Sequence, residues 1–296
     1  MTESTVQRSG FANYAMLCKP RMTALIVVAA AAGFYLAHDG SPWADALPRV
    51  LAMSIGTALL AIGAGTFNQI IERRWDARMR RTADRPIPTG RMSIAAAIRF
   101  GLATAAIGLT TLAIGASPVS AAVGLASLIL YVAAYTPLKR VTPWSVIVGA
   151  VPGALPVVIG WTAAAGSLTP RAWLLFGIVF VWQIPHFLAI AWLYRDDYAA
   201  AGFAVLPVIE PTGRRTVIQA ILFSLALIPV SLLPTFFGLV GYVYYVGALV
   251  LGFVMLGFAL EVARLRTHAS ARQLLLASLV YLPTLLILMT VDKIQA

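Results

Sequence analysis

The apolar residues of this chain are grouped into nine long blocks that are separated by shorter polar segments. Apolar and polar positions do not alternate within the blocks, as they would in strands that cross a membrane. Each block is close to the roughly 20 mostly apolar residues that a helix needs to cross a bilayer. The pattern therefore predicts nine transmembrane helices, at residues 22–37, 46–71, 94–115, 119–135, 144–164, 172–193, 217–233, 238–263 and 273–291.

Composition also favours a membrane protein over a soluble one. Hydrophobic residues make up 60% of the 296 residues and charged residues 11%, whereas soluble domains carry about 25% charged residues. We therefore predict an all-α, polytopic membrane bundle that forms a single domain over residues 1–296. The chain has one cysteine, Cys18, so we expect neither an intramolecular disulfide nor a cysteine-based metal site.

Lysine and arginine are distributed unequally between the two ends of the predicted helices. Eighteen of the 22 lie on the same side as the N terminus, three lie on the opposite side, and Arg99 lies inside the third helix. The positive-inside rule makes the first side cytosolic, which puts the N terminus inside and the C terminus outside. Topology and anionic ligands explain the net charge of +11 better than nucleic acid does, so no nucleic-acid partner is expected.

Residues 1–18 form a polar, cytosolic leader that lacks the features of a signal peptide or a mitochondrial presequence. A multi-pass protein of a bacterial plasma (inner) membrane is therefore the simplest prediction.

Two long loops on the predicted cytosolic side, residues 72–93 and 194–216, contain six of the eleven acidic residues. At the start of the first loop, Asn68, Glu72 and Asp76 recur every four residues. If the second helix continues through Asp76, their side chains form one stripe on one helix face. Oxygen ligands suit Mg²⁺, which takes one or two carboxylates and is completed by phosphate oxygens. The alternative is a helix end whose carboxylates only pair with neighbouring arginines or with water.

Further charged residues on the same side suggest a second cation site and an anion site. Asp196 and Asp197 open the second loop, and they are either ligands for a second hard cation or a solvated acidic turn. The first loop contains seven arginines and three acidic residues, so its surplus positive charge is either an orientation signal or a phosphate site. The phosphate-binding candidates are Arg81, Arg85, Lys139 and Arg140.

Several motifs resemble the UbiA-type membrane prenyltransferase superfamily and, within it, the branch that farnesylates haem. The superfamily's first aspartate-rich motif, Asn-x-x-x-Asp/Glu-x-x-x-Asp, is matched by Asn68, Glu72 and Asp76. Glu72 replaces the aspartate of the wider superfamily, and Asp196-Asp197 is a degenerate form of its second motif. Asp84 stands where the branch has asparagine. The motifs of the branch are matched at residues 19–21, 79–86, 135–140, 182–187 and 197–208.

The resemblance implies that a farnesyl group passes from farnesyl diphosphate to the vinyl group of haem B, which gives haem O and diphosphate. Mg²⁺ is the implied cofactor, held by Asn68, Glu72 and Asp76 at the cytosolic side, with a second ion on Asp196 and Asp197. Implied partners are membrane lipid and a haem A synthase or a terminal oxidase under assembly.

His186 follows Pro185 inside the sixth predicted helix. By default it is a buried histidine that only forms a hydrogen bond, because a proline inside a membrane helix frees backbone carbonyls. The alternative is a haem-facing or proton-transferring histidine, which makes His186 a candidate for haem binding.

Two other functions remain open. A transporter would carry ionisable residues near the middle of the bilayer, but the predicted helices contain almost none apart from Arg99, and the acidic clusters lie at one side. A related prenyltransferase with a quinone-precursor acceptor would share the magnesium motif, and only the resemblance to the haem branch argues against it.

Overall fold

The structure, a computed structural model, describes residues 10–294. Residues 1–9 of the predicted leader, which include Arg8, lie outside the described residues. Within residues 10–294 the fold is helical, without a β-strand apart from an isolated bridge between Val240 and Lys293. A π-helical turn, Leu130–Tyr135, lies between α5 and α6. The α-helices are α1 (Gly10–Cys18), α2 (Pro20–Ala37), α3 (Trp43–Asp76), α4 (Ile94–Gly115), α5 (Pro118–Ile129), α6 (Thr136–Leu138), α7 (Ser145–Ala165), α8 (Pro170–Leu193), α9 (Arg195–Ala201), α10 (Leu206–Ile209), α11 (Arg214–Phe236), α12 (Tyr242–Leu265) and α13 (His268–Val291).

Among residues 10–294, nine helical segments are long and apolar enough to cross a membrane. Eight are single helices, and the remaining one, called span four from here on, joins α5, the π-helical turn and α6 over Pro118–Leu138. The all-α class and the number of spans confirm the prediction from the hydrophobic pattern. The orientation in the membrane and the single-domain assignment stay predictions.

The helix boundaries differ from the predicted ones where polar residues begin or end a helix. Helix α13 begins at His268, five residues before the predicted start, because the Thr267 side chain accepts a hydrogen bond from the Ser270 amide at 3.2 Å and caps the helix. Helix α3 begins at Trp43 and continues through Asp76. The condition under which Asn68, Glu72 and Asp76 share one helix face is therefore met.

Two segments outside the predicted helices are partly helical. The predicted leader contains α1, and its Leu17 is fully buried in a cluster with Ile70 of α3 and Ile87 of the first long loop. The second long loop contains α9, α10 and the first turn of α11. These segments are short or polar, so no apolar block marked them in the sequence.

Helices α2 and α7 meet at two glycines near the centre of the bundle. A Cβ atom on Gly160 of α7 would overlap the carbonyl oxygen of Ala30, and one on Gly33 of α2 would overlap the carbonyl oxygen of Val157. Small residues permit this close approach of membrane helices. Because α7 is the most buried of the nine spans, the contact fixes α2, and with it the residues that precede α2, against the centre of the fold.

We predict that Gly160→Ala destabilises the protein, because the new methyl group must push α2 away from α7. Overpacking of this kind costs about 1–3 kcal/mol, which thermal unfolding of the purified protein in lipid nanodiscs would detect. The matched control is Gly257→Ala in α12, where an added Cβ atom meets no other atom within 4 Å. Equal unfolding temperatures for the two variants would contradict the packing argument.

Candidate active site

The two long loops pack against each other at one end of the bundle. Met79 of the first loop lies in a buried cluster with Phe203 and Val205 of the second. The Ala204 amide donates a hydrogen bond of 2.9 Å to the Lys139 carbonyl oxygen, just after span four. The loops therefore form a cap, residues 77–93 and 194–213, at the ends of α3 and span four. The two loops lie at the same end of the bundle, and their assignment to the cytosolic side stays a prediction.

The stripe of oxygen-bearing side chains lies beneath this cap and is buried. Asn68, Glu72 and Asp76 expose 3%, 4% and 0% of their surface, although they lie at the end of α3 where the sequence turns polar. The Asn68 amide donates a hydrogen bond to the Thr136 hydroxyl of α6 at 3.2 Å. The stripe thus faces span four rather than water.

Each buried carboxylate is paired with a cation from another segment. Glu72 forms an ion pair with Lys139, and an Arg85 nitrogen lies 2.5 Å from Asp76 Oδ2. Removing a carboxylate from water is costly unless it is paired, so these two contacts fix the first loop and the end of span four to α3. Asp76 Oδ1 is buried and has no hydrogen-bond partner among the described residues. It is an oxygen available to a ligand.

Lys19 is a third cation of this cluster. It adopts the left-handed conformation, with φ 44° and ψ 59°, which is uncommon for a residue that carries a side chain. Burial, followed by repulsion from Arg85 and Lys139, lowers the pKa of Lys19 to about 7, and the two carboxylates oppose this shift. Sequence reasoning missed Lys19 as a site residue, although it lies in one of the family motifs. A lone lysine before a proline gave no chemical signal of its own.

The charge of Lys139 is secured by its surroundings. Burial disfavours its ammonium form, but the Glu72 carboxylate and Tyr131 outweigh burial and raise the pKa of Lys139 above its ordinary value. The ammonium also lies 4.9 Å from the centre of the Tyr135 ring. Lys139 therefore remains protonated at physiological pH and can act as a fixed positive charge.

The π-helical turn of span four presents two tyrosines beside this lysine. The rings of Tyr131 and Tyr135 lie 5.3 Å apart, and the Thr136 hydroxyl donates to the Tyr131 carbonyl oxygen at 2.8 Å. A Cβ atom on Gly149 of α7 would come within 2.5 Å of the Tyr135 ring, so a glycine is needed there. Turns of this type are frequent at functional sites, but they leave no mark in a hydrophobic pattern.

The structure does not bring the second acidic pair to the buried carboxylates. The Asp196 side chain is 91% exposed, and with Asp197 it lines a separate surface cleft beside Arg78 and Arg80. Within residues 10–294, no three histidine, cysteine, aspartate or glutamate residues lie close enough to share a metal ion. The role of Asp196 and Asp197 as ligands of a second ion stays a prediction.

Among the predicted phosphate-binding residues, only Arg85 and Lys139 contact the buried carboxylates. Arg81 lies on the outer part of the cap, 5.1 Å from the centre of the Tyr194 ring. Arg140 is exposed and lies 3.8 Å from the centre of the Trp75 ring. Asp84 forms an ion pair with Arg91 at 2.8 Å, also outside the cluster.

His186 lies between α8 and α13. Its Nδ1 is 2.8 Å from the Ser278 hydroxyl oxygen, and its ring stacks on Trp182. It therefore bonds to a side chain of another helix, and not to a backbone carbonyl freed by Pro185.

The donor set of the buried cluster fits a Mg²⁺ ion with a bound diphosphate. All candidate ligands are oxygens, two of the groups are carboxylates, and one carboxylate oxygen has no partner. Arg85 and Lys139 balance the charges of the two carboxylates, and Lys19, whose pKa is lowered to about 7, adds a partial positive charge that an anion can meet. The arrangement can therefore hold a metal ion and phosphate oxygens together at the boundary between the apolar bundle and the cap.

Comparison with known proteins agrees with this fold. The chain is 45% identical to the protoheme IX farnesyltransferase of Solibacter usitatus (strain Ellin6076), over 95% of this chain and 98% of that protein. Digeranylgeranylglyceryl phosphate synthase shares the fold with a TM-score of 0.80 at 13% identity, over 97% of this chain and 99% of that chain. A UbiA homolog from Archaeoglobus fulgidus bound to GPP and Mg²⁺ has a TM-score of 0.65 at 15% identity, over 94% of this chain and 99% of that chain.

The model of the UbiA prenyltransferase family matches residues 25–282, which include seven of the nine spans in full, most of the other two, and all of the buried cluster except Lys19. The chain therefore belongs to the UbiA prenyltransferase family.

Proposed function

We propose that this chain is a Mg²⁺-dependent prenyltransferase that moves a farnesyl group from farnesyl diphosphate to the vinyl group of haem B, giving haem O and diphosphate. The observation that carries the proposal is the pair of buried carboxylates, Glu72 and Asp76, surrounded by Arg85, Lys139 and Lys19. The acceptor is supported by the near full-length similarity to the farnesyltransferase of Solibacter usitatus. The Archaeoglobus fulgidus homolog with GPP and Mg²⁺ supports the class of donor and the metal.

Asn68, Glu72 and Asp76 would hold the metal ion against the diphosphate. When bound, Mg²⁺ neutralises negative charge on the leaving diphosphate. Arg85 and Lys139 now contact carboxylates, and the entry of a metal ion would free both cations to contact phosphate oxygens. In this proposal the same residues could pair either with each other or with bound ligands of opposite charge.

The reaction requires an allylic cation to form beside the diphosphate and to meet the vinyl group before water does. The allylic C–O bond breaks and its electron pair leaves on the diphosphate. The terminal vinyl carbon then forms a C–C bond to the farnesyl carbon, and a water oxygen bonds to the adjacent vinyl carbon with loss of a proton. Fixed cations at the diphosphate favour the first step, and the apolar bundle excludes water until the C–C bond has formed.

Tyr131 and Tyr135 are placed to stabilise this allylic cation. The Tyr135 ring already holds the Lys139 ammonium at 4.9 Å, so its face accepts a positive charge at the position next to the proposed diphosphate site. Cation–π contacts contribute about 0.5–2 kcal/mol each. Gly149 leaves the room that this ring orientation needs.

In this proposal the site faces the cytosol of a bacterial plasma membrane, on the side to which the sequence pattern assigns 18 of the 22 basic residues. The product would pass to a haem A synthase or a terminal oxidase. Asp196 and Asp197 would bind a second ion only if the cap moved them toward Glu72 and Asp76.

The donor and acceptor can be tested together by product analysis. We expect membranes that contain the chain to convert labelled farnesyl diphosphate and haem B into labelled haem O, which chromatography separates from quinone precursors. Omission of Mg²⁺ should abolish the product, and its return should restore it. Label found in a quinone-precursor fraction and absent from haem would show that the acceptor is a quinone precursor and not haem B.

We predict that Glu72→Gln and Asp76→Asn each lower turnover by at least about 100-fold, because each removes one anionic oxygen ligand of the metal. Haem O formation by purified protein in nanodiscs measures the loss. The control is Asp45→Asn, which changes an exposed aspartate at the opposite end of α3 and should leave turnover unchanged. Full activity in both site variants, with Mg²⁺ still required, would remove the metal assignment.

The adjacent cations Lys139 and Arg140 have different contacts, and in this proposal they have different roles. Lys139→Gln should abolish turnover and also lower stability by about 3–5 kcal/mol, since it leaves Glu72 buried without its partner. Arg140→Gln should have little effect on either property, because Arg140 only covers Trp75 at the surface. The double variant Glu72→Gln, Lys139→Gln should regain stability but not activity. Thermal unfolding and haem O assays on the same preparations measure stability and turnover. Loss of activity in Arg140→Gln would contradict the prediction and assign Arg140 to the diphosphate site.

A further inference from the structure

The tautomer of His186 is fixed by a chain of two hydrogen bonds. The Ser278 hydroxyl donates to the Leu275 carbonyl oxygen within α13 at 2.6 Å. A hydroxyl has one proton, so towards His186 the same oxygen acts as acceptor, at 2.8 Å from Nδ1. The proton of the neutral imidazole is therefore on Nδ1, and Nε2 carries a free lone pair.

The ring of His186 is also fixed in direction. Trp182, one turn earlier on α8, stacks on it with ring centres 5.0 Å apart and an angle of 25° between the planes. The Trp182 indole nitrogen donates to the Ser278 carbonyl oxygen at 2.8 Å, so one residue of α13 holds both rings. Phe187 contacts the ring from the side, with centres 5.6 Å apart. The imidazole cannot rotate without breaking contacts between α8 and α13.

Nε2 has no hydrogen bond to any of the described residues, and the His186 side chain is only half-buried. A fixed Nδ1–H that donates to an oxygen, with a bare Nε2 on the other side, is the arrangement found in histidines that bind a metal. Histidine is also a common axial ligand of haem iron.

We infer that His186 binds the iron of the haem substrate through Nε2, and that Ser278 is the positioning residue that holds the histidine in this tautomer. The inference rests on the proposed function and names the residue that orients its acceptor. His186 lies seven residues before the end of α8, about 10 Å from the cap along the helix axis. Ligation there would anchor the porphyrin within the bundle, on the membrane side of the cap.

The test is a titration of purified protein in nanodiscs with ferric haem B, without farnesyl diphosphate. We expect the wild type to give the absorption and electron paramagnetic resonance spectra of imidazole-bound iron. His186→Ala and His186→Gln should lose these spectra and bind haem at least about tenfold more weakly. The glutamine variant can still form a hydrogen bond with Ser278, so the α8–α13 contact is retained. Added imidazole should restore the ligated spectrum in His186→Ala.

Ser278→Ala should keep the ligated spectrum but weaken haem binding by about 10–100-fold, the usual effect of removing an oxygen that orients a metal-binding histidine. The matched control is Ser224→Ala in α11, a buried serine whose hydroxyl has no hydrogen-bond partner in the described structure. The control for the histidine is His268→Ala, at the exposed start of α13. Both controls should match the wild type in haem spectrum and affinity.

Identical haem spectra and affinities in the wild type and both His186 variants, while the wild type still makes haem O, would overturn the inference and leave the proposed function intact. A wild type that neither binds nor farnesylates haem would overturn both. Thermal unfolding and retained binding of farnesyl diphosphate with Mg²⁺ would show that each variant is folded.

Discussion

The burial of two carboxylates at the end of a membrane helix is the constraint on which the site depends. Glu72 and Asp76 are almost inaccessible, and an unpaired carboxylate in such a place would take up a proton or destabilise the fold. Their partners come from different segments, Lys139 from the end of span four and Arg85 from the first long loop. The ion pairs therefore also stabilise the fold, because they join three parts of the chain at one point.

The same pairs support the proposal that this end of the bundle holds a diphosphate. In the proposed function, charges that neutralise each other within the cluster would be exchanged for a metal ion and phosphate oxygens with little change in the total charge of the buried region. The positions are fixed by helix packing: the Gly33 and Gly160 contact holds α2 against α7, and Lys19 immediately precedes α2. In the proposed function, the polar group of the prenyl donor would meet these fixed charges, while its apolar tail would stay among helices.

Much of this could be predicted from sequence because it depends on composition and on local period. Nine apolar blocks predicted nine spans, and residues 10–294 contain nine. The four-residue spacing from Asn68 to Asp76 predicted a shared helix face, and α3 continues through Asp76 as that prediction requires. The missing features depend on contacts between distant segments. The approach of Lys19 to the carboxylates, the outward position of Arg140 and the separation of Asp196 and Asp197 from the buried pair leave no periodic signal. The π-helical turn is likewise a property of how span four packs against α7, and not of its own apolar pattern.

The proposed diphosphate site and the proposed haem-binding residues lie on different helices, and this separation bears on how the acceptor is selected. The carboxylate cluster involves the first loop, α3 and span four, and its chemistry suits any allylic diphosphate, so it cannot by itself distinguish haem from a quinone precursor. Discrimination must come from groups that recognise the acceptor. An iron-binding imidazole is such a group, since a quinone precursor has no counterpart to iron. His186, Trp182 and Ser278 lie on α8 and α13, helices that contribute none of the buried carboxylates or their cationic partners. A family with this arrangement could change its acceptor through α8 and α13 while the diphosphate site stayed the same.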